Sequence, residues 1–238
     1  MGRAYEVRKA SIQKNGAAKA KLYSMYAREI YQVAKTGGVD PDSNAALKRL
    51  IDRAKKEQVP SDIVKRAIDK VTSGVDESYY PLRYELFGPG GSTLIVDCLT
   101  DNVNRTLSHI NPALNKNNGK MGVSGSVSYM YDHLSVVKVE NFTEEEVLDA
   151  MITAEIDVDD IEVIDKEVTI YGEPTDLFKI KEALKKLKND VEFIIEEIVM
   201  IPKDTVTLTG DDLELFNRMH TMLEEVEDVQ NIYHNVNL

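Results

Sequence analysis

The sequence predicts an α+β fold of three domains, and three observations support it. Over the first 75 residues apolar side chains recur with a helical period, and beyond them short strand-like runs alternate with helical segments. The charge changes at the same place. Residues 1–75 carry 16 Lys/Arg and 8 Asp/Glu, a net charge of +8, whereas residues 76–238 carry 13 and 33, a net charge of −20. This division is typical of a basic helical domain attached to an acidic body.

A basic arm over residues 1–16 and three helices are predicted within residues 1–76. The first helix is predicted over residues 17–36, because apolar residues form one stripe and Gly37 follows as a C-terminal stop. The segment "DPDSN" offers N-caps for the second helix, and "PS" restarts the chain for the third. The short connections between these helices predict a small helical domain.

Residues 77–133 together with 203–238 are predicted to form an α/β domain, into which residues 134–202 are inserted as another. The insert has the order β-α-β-β-α-β, which is typical of a ferredoxin-like fold. The flanking segments start with two strands joined by "GPGG", a helix and the strand "GSVSYMYDH". The closing "TVTLT", a helix and "VQNIYHNVN" have no sheet of their own, so we expect them to complete the first one. Both α/β domains are therefore predicted to be ferredoxin-like.

Several classes of protein are excluded by what the sequence lacks. A single cysteine, Cys98, rules out an internal disulfide, and its apolar neighbours predict a packed, unreactive thiol. No secretory signal or membrane-spanning stretch is present, because the apolar run "FIIEEIVMI" is short and interrupted by glutamates. The four histidines lack metal-ligand spacing. We therefore predict a cytoplasmic protein that is not an enzyme, with no catalytic residue, metal, cofactor or membrane contact, and a monomeric or weakly dimeric state.

The glycine-rich segment "GPGGST" is predicted to be a turn between strands. Thr93 stands where a dinucleotide fingerprint needs its last glycine, and no Gly-Lys-Ser/Thr follows. A phosphate loop also needs a helix N-terminus directly behind it. The glycines are explained by the positive φ angles that tight turns require.

The helix opening "TDNVNRT" has two interpretations. Thr100 or Asp101 can cap the helix, and the remaining polar residues then form a solvated face. Alternatively, these residues contact phosphates or base edges. The residues assigned to that contact are Asn102, Asn104, Arg105 and Thr106. The residues predicted to pack on the sheet are Val103, Leu107, Ile110 and Leu114.

The basic arm and the first two helices supply the other candidate contacts. Lysines and arginines with tyrosines nearby can follow a phosphate backbone and stack on bases, although a basic tail can also serve solubility alone. The acidic residues 140–176, with 14 Asp/Glu and one lysine, must then face away from the nucleic acid or towards a basic protein. The predicted contacts in this region are Arg3, Arg8, Lys9, Lys14, Lys19, Lys21, Arg28, Arg49 and Arg53.

Several motifs resemble those of the YebC/PmpR family. They include "RYELFGPGGSTLIVDCLTDNVNRT", "GSVSYMY" and "DVQNIYHN", and the resemblance extends along nearly the whole chain. The opening "MGRAY" and the short tail are similar to the YeeN-like branch. The resemblance implies three domains, the third inserted into the second, and a non-enzymatic regulator of gene expression. Members are generally described as DNA-binding transcriptional regulators, and others as ribosome-associated factors or translational activators. The implied partner is therefore DNA or RNA, the latter possibly on the ribosome.

Overall fold

The computed structural model describes residues 16–74 and 77–237, which divide into two compact units. One unit combines the described part of Met1–Val127 with Thr205–Leu238, and the other is Ser128–Asp204. The predicted α+β class is confirmed, with an N-terminal helical region and two antiparallel four-stranded sheets. The predicted boundaries of three separate domains stay predictions.

The helices and strands follow one another without long gaps. In chain order they are α1 (Gly16–Gly37), α2 (Ala45–Lys56), α3 (Ser61–Thr72), β1 (Tyr80–Phe87), β2 (Thr93–Thr100), α4 (Val103–Asn115), β3 (Lys120–Met121), β4 (Tyr131–Glu140), α5 (Glu144–Thr153), β5 (Val158–Ile164), β6 (Glu167–Gly172), α6 (Leu177–Leu187), β7 (Phe193–Pro202), α7 (Gly210–Glu224) and β8 (Val229–His234).

One asparagine fixes the junction between α1 and α2. The Asn44 side chain accepts a hydrogen bond from the amide of Leu47 at 3.1 Å, which caps α2. Its amide group donates to the carbonyls of Val33 and Gly38 at 3.1 and 2.8 Å, which satisfies the end of α1. The two helices are thus held at a fixed angle over a small apolar core. That core includes Tyr26, Ile30, Leu47, Ala54 and Ala67.

The sheet of the first unit has the strand order β3-β1-β2-β8, with all neighbours antiparallel. Alternate residues of β2, among them Leu94 and Val96, pack against α4 and α7 in one apolar cluster. The closing strand β8 pairs with β2, so the chain leaves this sheet after β3 and returns to complete it. Four strands and two helices are present, but they follow the order β-β-α-β-α-β, unlike a ferredoxin-like unit.

Two predicted strands of this unit are wrong. "GSVSYMYDH" is not one strand, because residues 124–127 form a turn and β4 begins only at Tyr131. The amides of Gly125 and Val127 donate to the buried carboxylate of Glu85 rather than to a neighbouring strand. "TVTLT" contributes only an isolated bridge between Val206 and Val236. Period-two alternation alone did not distinguish these segments from strands.

The unit Ser128–Asp204 is ferredoxin-like, as predicted. Its strand order is β5-β6-β4-β7, and α5 and α6 pack on one face of the sheet. Helix α5 begins with a reciprocal capping box, in which Glu146 N donates to Thr143 Oγ1 at 3.1 Å and Thr143 N donates to Glu146 Oε2 at 2.9 Å. The unit carries 8 Lys/Arg and 21 Asp/Glu, a net charge of −13.

The predicted Gly-Pro-Gly-Gly turn is confirmed. Gly90 and Gly91 have φ angles of +62° and +80°, in the left-handed region that favours glycine. The turn is closed by a 2.8 Å hydrogen bond from Gly88 N to Ser92 O. A Cβ atom on Gly90 would lie 2.6 Å from Leu208 Cδ2, so the turn packs tightly against the segment that precedes α7.

Candidate nucleic-acid interface

The outer faces of α2 and α3 carry most of the exposed cations of the described helical region. Residues 16–74 contain 12 Lys/Arg and 7 Asp/Glu, a net charge of +5. Because the apolar residues of α2 and α3 pack towards α1, their charged residues project outwards. We call these residues the basic helical face. They are Lys48, Arg49, Lys55, Lys56, Lys65 and Arg66.

Carboxylates on this face are well solvated. Lys48 Nζ lies 3.3 Å from Asp42 Oδ1, and Lys55 Nζ lies 3.4 Å from Asp52 Oδ1. The side chains of the first pair are 60% and 87% exposed. Exposed ion pairs contribute about 0–1 kcal/mol, so a phosphate can replace these carboxylates at little cost.

An apolar groove of about 240 Å³ lies between α2 and α3 on the same face. Ile51, Val59 and Val64 line it, together with Lys55, Lys65 and one carboxylate, Asp69. Such a surface offers ammonium groups to phosphates and aliphatic groups to sugars or bases.

Arg53, in contrast, serves the packing of the helices. Its Nε donates to the hydroxyl of Tyr26 at 2.9 Å, and its Nη2 lies 3.0 Å from Glu29 Oε2. Burial raises the pKa of the Glu29 carboxyl, although the Arg53 charge opposes that shift. The guanidinium also lies over the Tyr26 ring, 5.3 Å from its centroid. These contacts hold α2 against α1 through Arg53, which was predicted from the sequence to bind nucleic acid.

Arg28 joins α1 to the start of β8. Its Nη1 lies 2.7 Å from Asp228 Oδ1, and its Nη2 pairs with Glu227. The Arg28 side chain is only 12% exposed, and that of Asp228 is 2% exposed. Lys21, about two turns earlier on the same face of α1, donates to the carbonyl of Glu224, and burial lowers its pKa to about 8. Both cations thus anchor the helical region to the sheet.

Asp228 also organises the start of α4. Arg105 Nη2 lies 2.9 Å from Asp228 Oδ1 and 2.6 Å from Asp101 Oδ1. Thr106 Oγ1 donates to Asp228 Oδ2 at 2.8 Å. Burial by itself raises the pKa of Asp228, but the hydrogen bonds from Thr106 and Arg105 and the charges of Arg105 and Arg28 outweigh it and hold that pKa below its usual value. Asp228 is the central residue of this region that sequence reasoning missed.

The predicted contact at the α4 start is corrected for Thr106. This residue is fully buried, so its hydroxyl cannot reach a ligand. It lies on the core face with Ile110 and Ala113, whereas Val103, which was predicted to pack inwards, is 39% exposed. The buried hydroxyl of Thr106 has its hydrogen-bond partner in the buried carboxylate of Asp228.

The other residues of that contact are accessible. Asn102 caps α4 by accepting a 3.1 Å hydrogen bond from the amide of Arg105, and both Asn102 and Asn104 are exposed. The Arg105 side chain is 40% exposed although it is paired with two carboxylates. Capping at the start of α4 was thus predicted, but the cap is Asn102 rather than Thr100 or Asp101. Nucleic-acid contact by Asn102, Asn104 and Arg105 stays a prediction.

The glycine-rich turn and the α4 start lie at opposite ends of β2. Eight residues of extended strand separate them, which corresponds to roughly 25 Å. One ligand group cannot contact both. Among the other predicted contacts, Lys19 is exposed on α1, and Arg3, Arg8, Lys9 and Lys14 lie outside the described residues.

Neither a metal-binding cluster nor an exposed thiol is found in the part of the chain that the structure describes. No group of three or more His, Cys, Asp or Glu side chains is placed there to hold a metal ion. Cys98 is 3% exposed, which confirms that it is packed as predicted, and burial raises the pKa of its thiol to about 12. None of the described helices has the length and apolar character needed to cross a membrane.

Comparison with known proteins identifies the family. Residues 3–74 match the TACO1/YebC N-terminal domain, and residues 79–236 match the TACO1/YebC second and third domain. A probable transcriptional regulatory protein of Marinobacter nauticus is 46% identical over 238 residues, covering 100% of this chain and 99% of its own. One from Alteromonas mediterranea is 44% identical over 235 residues, covering 99% and 98%.

A solved structure shows the same fold. The crystal structure of a conserved hypothetical protein from Aquifex aeolicus has a TM-score of 0.75 and 32% sequence identity, covering 94% of this chain and 92% of its own. The names of the relatives are regulatory rather than enzymatic. Because both family models and full-length relatives match, the chain belongs to the TACO1/YebC family.

Proposed function

We propose that this protein is a non-enzymatic regulator of gene expression that binds nucleic acid through its basic helical face. The observation that carries the proposal is the separation of charge, +5 over residues 16–74 against −13 over Ser128–Asp204. Lysines and arginines that neutralise phosphates release condensed counterions, which gives affinity without sequence recognition. The regulatory names of the relatives support the same conclusion.

Most of the individually predicted contact residues lie outside the basic helical face. Arg28, Arg53 and Lys21 hold the helical region together and attach it to the sheet. The exposed cations of α2 and α3, of which Arg49 was a predicted contact, are better placed to meet phosphates. Arg105 and Asn104 would then add a second contact.

Salt-dependent binding tests this proposal. The triple variant Arg49→Gln, Lys56→Gln, Lys65→Gln removes three cations of the basic helical face. We expect the slope of log affinity against log salt to become shallower by about 2 to 3, measured by fluorescence anisotropy with duplex DNA and with structured RNA. The control Lys179→Gln, Lys185→Gln, Lys186→Gln removes three exposed cations of α6. If the control reduces binding as much as the test variant, the proposed face is wrong.

A second candidate function is translation, with ribosomal RNA or tRNA as the ligand. The net charge of −13 on Ser128–Asp204 favours it, because an acidic unit can meet the basic proteins of a ribosome. Sedimentation of a cell lysate with and without ribonuclease separates the two functions. Ribonuclease-sensitive co-migration with ribosomes favours translation, whereas a slowly sedimenting protein that retards duplex DNA favours transcription.

A further inference from the structure

One loop differs in charge from the acidic unit that contains it. Residues 77–127 and 205–238 carry 5 Lys/Arg and 11 Asp/Glu, a net charge of −6. Within them, residues 115–127, "NKNNGKMGVSGSV", contain Lys116 and Lys120 and not one carboxylate. We call this segment the 115–127 loop. It runs from the last residue of α4 through β3 to Val127, where the first of the two chain segments of this unit ends.

The start of the loop is fixed to the end of α4. Asn117 is fully buried, and its side chain donates to the carbonyl of Ala113 at 2.7 Å. Gly119 N donates to Leu114 O at 2.9 Å, and Asn118 adopts a left-handed φ of +56°. These bonds set the direction in which the chain leaves the helix.

The far half of the loop is held by Glu85, which is 6% exposed. Its carboxylate accepts a 2.7 Å hydrogen bond from Gly125 N and another from Val127 N, while its carbonyl accepts from Gly122 N at 2.7 Å. A Cβ atom on Gly122 would lie 2.9 Å from that carbonyl. The buried Glu85 carboxylate thus binds amides of the loop and holds the loop close to β1.

This well-anchored loop exposes apolar side chains. Val123 is 76% exposed, and Met121 and Phe87 are 36% and 37% exposed. A Cβ atom on Gly122 would lie 3.1 Å from the Phe87 ring, which places that ring beside the loop. Lys116 and Lys120 are exposed as well. An anchored loop that presents apolar groups and cations to solvent has the character of a binding element rather than of a connection.

We propose that the 115–127 loop is a second nucleic-acid contact and that it takes unpaired nucleotides of an RNA strand. Its lysines suit phosphates. A Cβ atom on Gly125 would meet nothing within 4 Å, so a sugar–phosphate backbone has room to approach the main chain there. Val123, Met121 and Phe87 suit base faces, which a duplex hides and a single strand exposes. The residues of the loop include no carboxylate that would repel phosphates, and its anchor Glu85 is only 6% exposed, which favours a polyanion over a basic protein.

This inference rests on the proposed nucleic-acid binding. The experiment therefore tests the loop and the basic helical face separately. In full-length protein, p-benzoylphenylalanine replaces Val123 in one variant and Lys56 of the basic helical face in another. Each is irradiated with a short single-stranded RNA or with duplex DNA of equal length. We expect the probe at position 123 to capture the RNA several-fold more efficiently than the duplex.

The two arms separate the possible failures. Capture of RNA at position 56 but not at position 123 overturns the loop contact and leaves the proposed function standing. Equal capture of RNA and duplex at position 123, or capture of protein alone, also overturns it. Capture at neither position overturns the loop contact and contradicts the proposed function as well.

Removing the loop's charge gives an independent readout. The variant Lys116→Ala, Lys120→Ala changes only exposed residues, so we expect it to fold normally. Its salt slope for the single-stranded RNA should be shallower by about 1.4, while that for duplex DNA should stay unchanged. The control Lys185→Ala, Lys186→Ala should alter neither slope. An unchanged slope for the RNA in the loop variant overturns the proposal.

Discussion

At the residue scale, Asp228 is the side chain on which the joint between α1, α4 and β8 depends. It is nearly inaccessible and accepts hydrogen bonds from Arg28, Arg105 and Thr106. Asp228→Asn keeps the shape but leaves two guanidinium groups without their buried counter-charge. We expect a loss of about 3 kcal/mol in the free energy of unfolding, measured by chemical denaturation.

Glu227→Gln provides the matched control at the neighbouring position. The Glu227 side chain also pairs with Arg28, but it is 63% exposed, so its loss should cost less than about 1 kcal/mol. Equal destabilisation by the two substitutions would contradict the central role given to Asp228.

At the scale of single elements, the Gly-Pro-Gly-Gly turn is held by packing as well as by backbone angle. Gly90→Ala forces a left-handed alanine and also drives its Cβ into Leu208, whereas Gly91→Ala meets no atom within 4 Å. We expect about 1 kcal/mol of destabilisation for Gly91→Ala, from backbone strain alone, and about 2–4 kcal/mol for Gly90→Ala. Thermal unfolding of both variants measures the difference. Similar melting temperatures would show that the turn does not pack as described.

At the scale of the whole molecule, a partly buried histidine makes stability depend on pH. Burial lowers the pKa of His234 to about 4, and the nearby His220 acts in the same direction. The unfolded chain takes up a proton below its ordinary pKa of 6.5, and the folded protein does so only near pH 4. Its stability is therefore complete above pH 6.5 and falls as the pH drops towards 4, by up to about 3 kcal/mol.

Substitution isolates this contribution. His234→Phe should flatten the fall in unfolding free energy between pH 6.5 and 4, whereas His109→Phe, at an exposed position, should leave it as in the wild type. Denaturant titrations at several pH values compare the slopes. A slope that persists in His234→Phe would assign the pH dependence to other groups.

The sequence predicted what depends on local pattern. The helices α1 to α3, the inserted ferredoxin-like unit and the glycine turn follow from periodicity, capping and the need for positive φ. The predicted strand over "GSVSYMYDH" failed because the carboxylate of Glu85, forty residues earlier, binds the amides that a strand would have offered to a neighbour. Thr106 was misjudged for a related reason, and the pairing of Arg28 and Arg53 with carboxylates was not predicted. Their partners Asp228 and Glu29 are brought to them by tertiary packing, and nothing in the local sequence marks those carboxylates as buried.

Lysine footprinting tests the central claim, one-sided binding by the basic helical face, most directly. The full-length protein is acetylated with and without nucleic acid, and the modification of each lysine is measured by mass spectrometry. We predict protection of Lys48, Lys55, Lys56 and Lys65, with Lys179, Lys185 and Lys186 remaining reactive. Protection of the α6 lysines instead, or equal protection of both groups, would contradict the account.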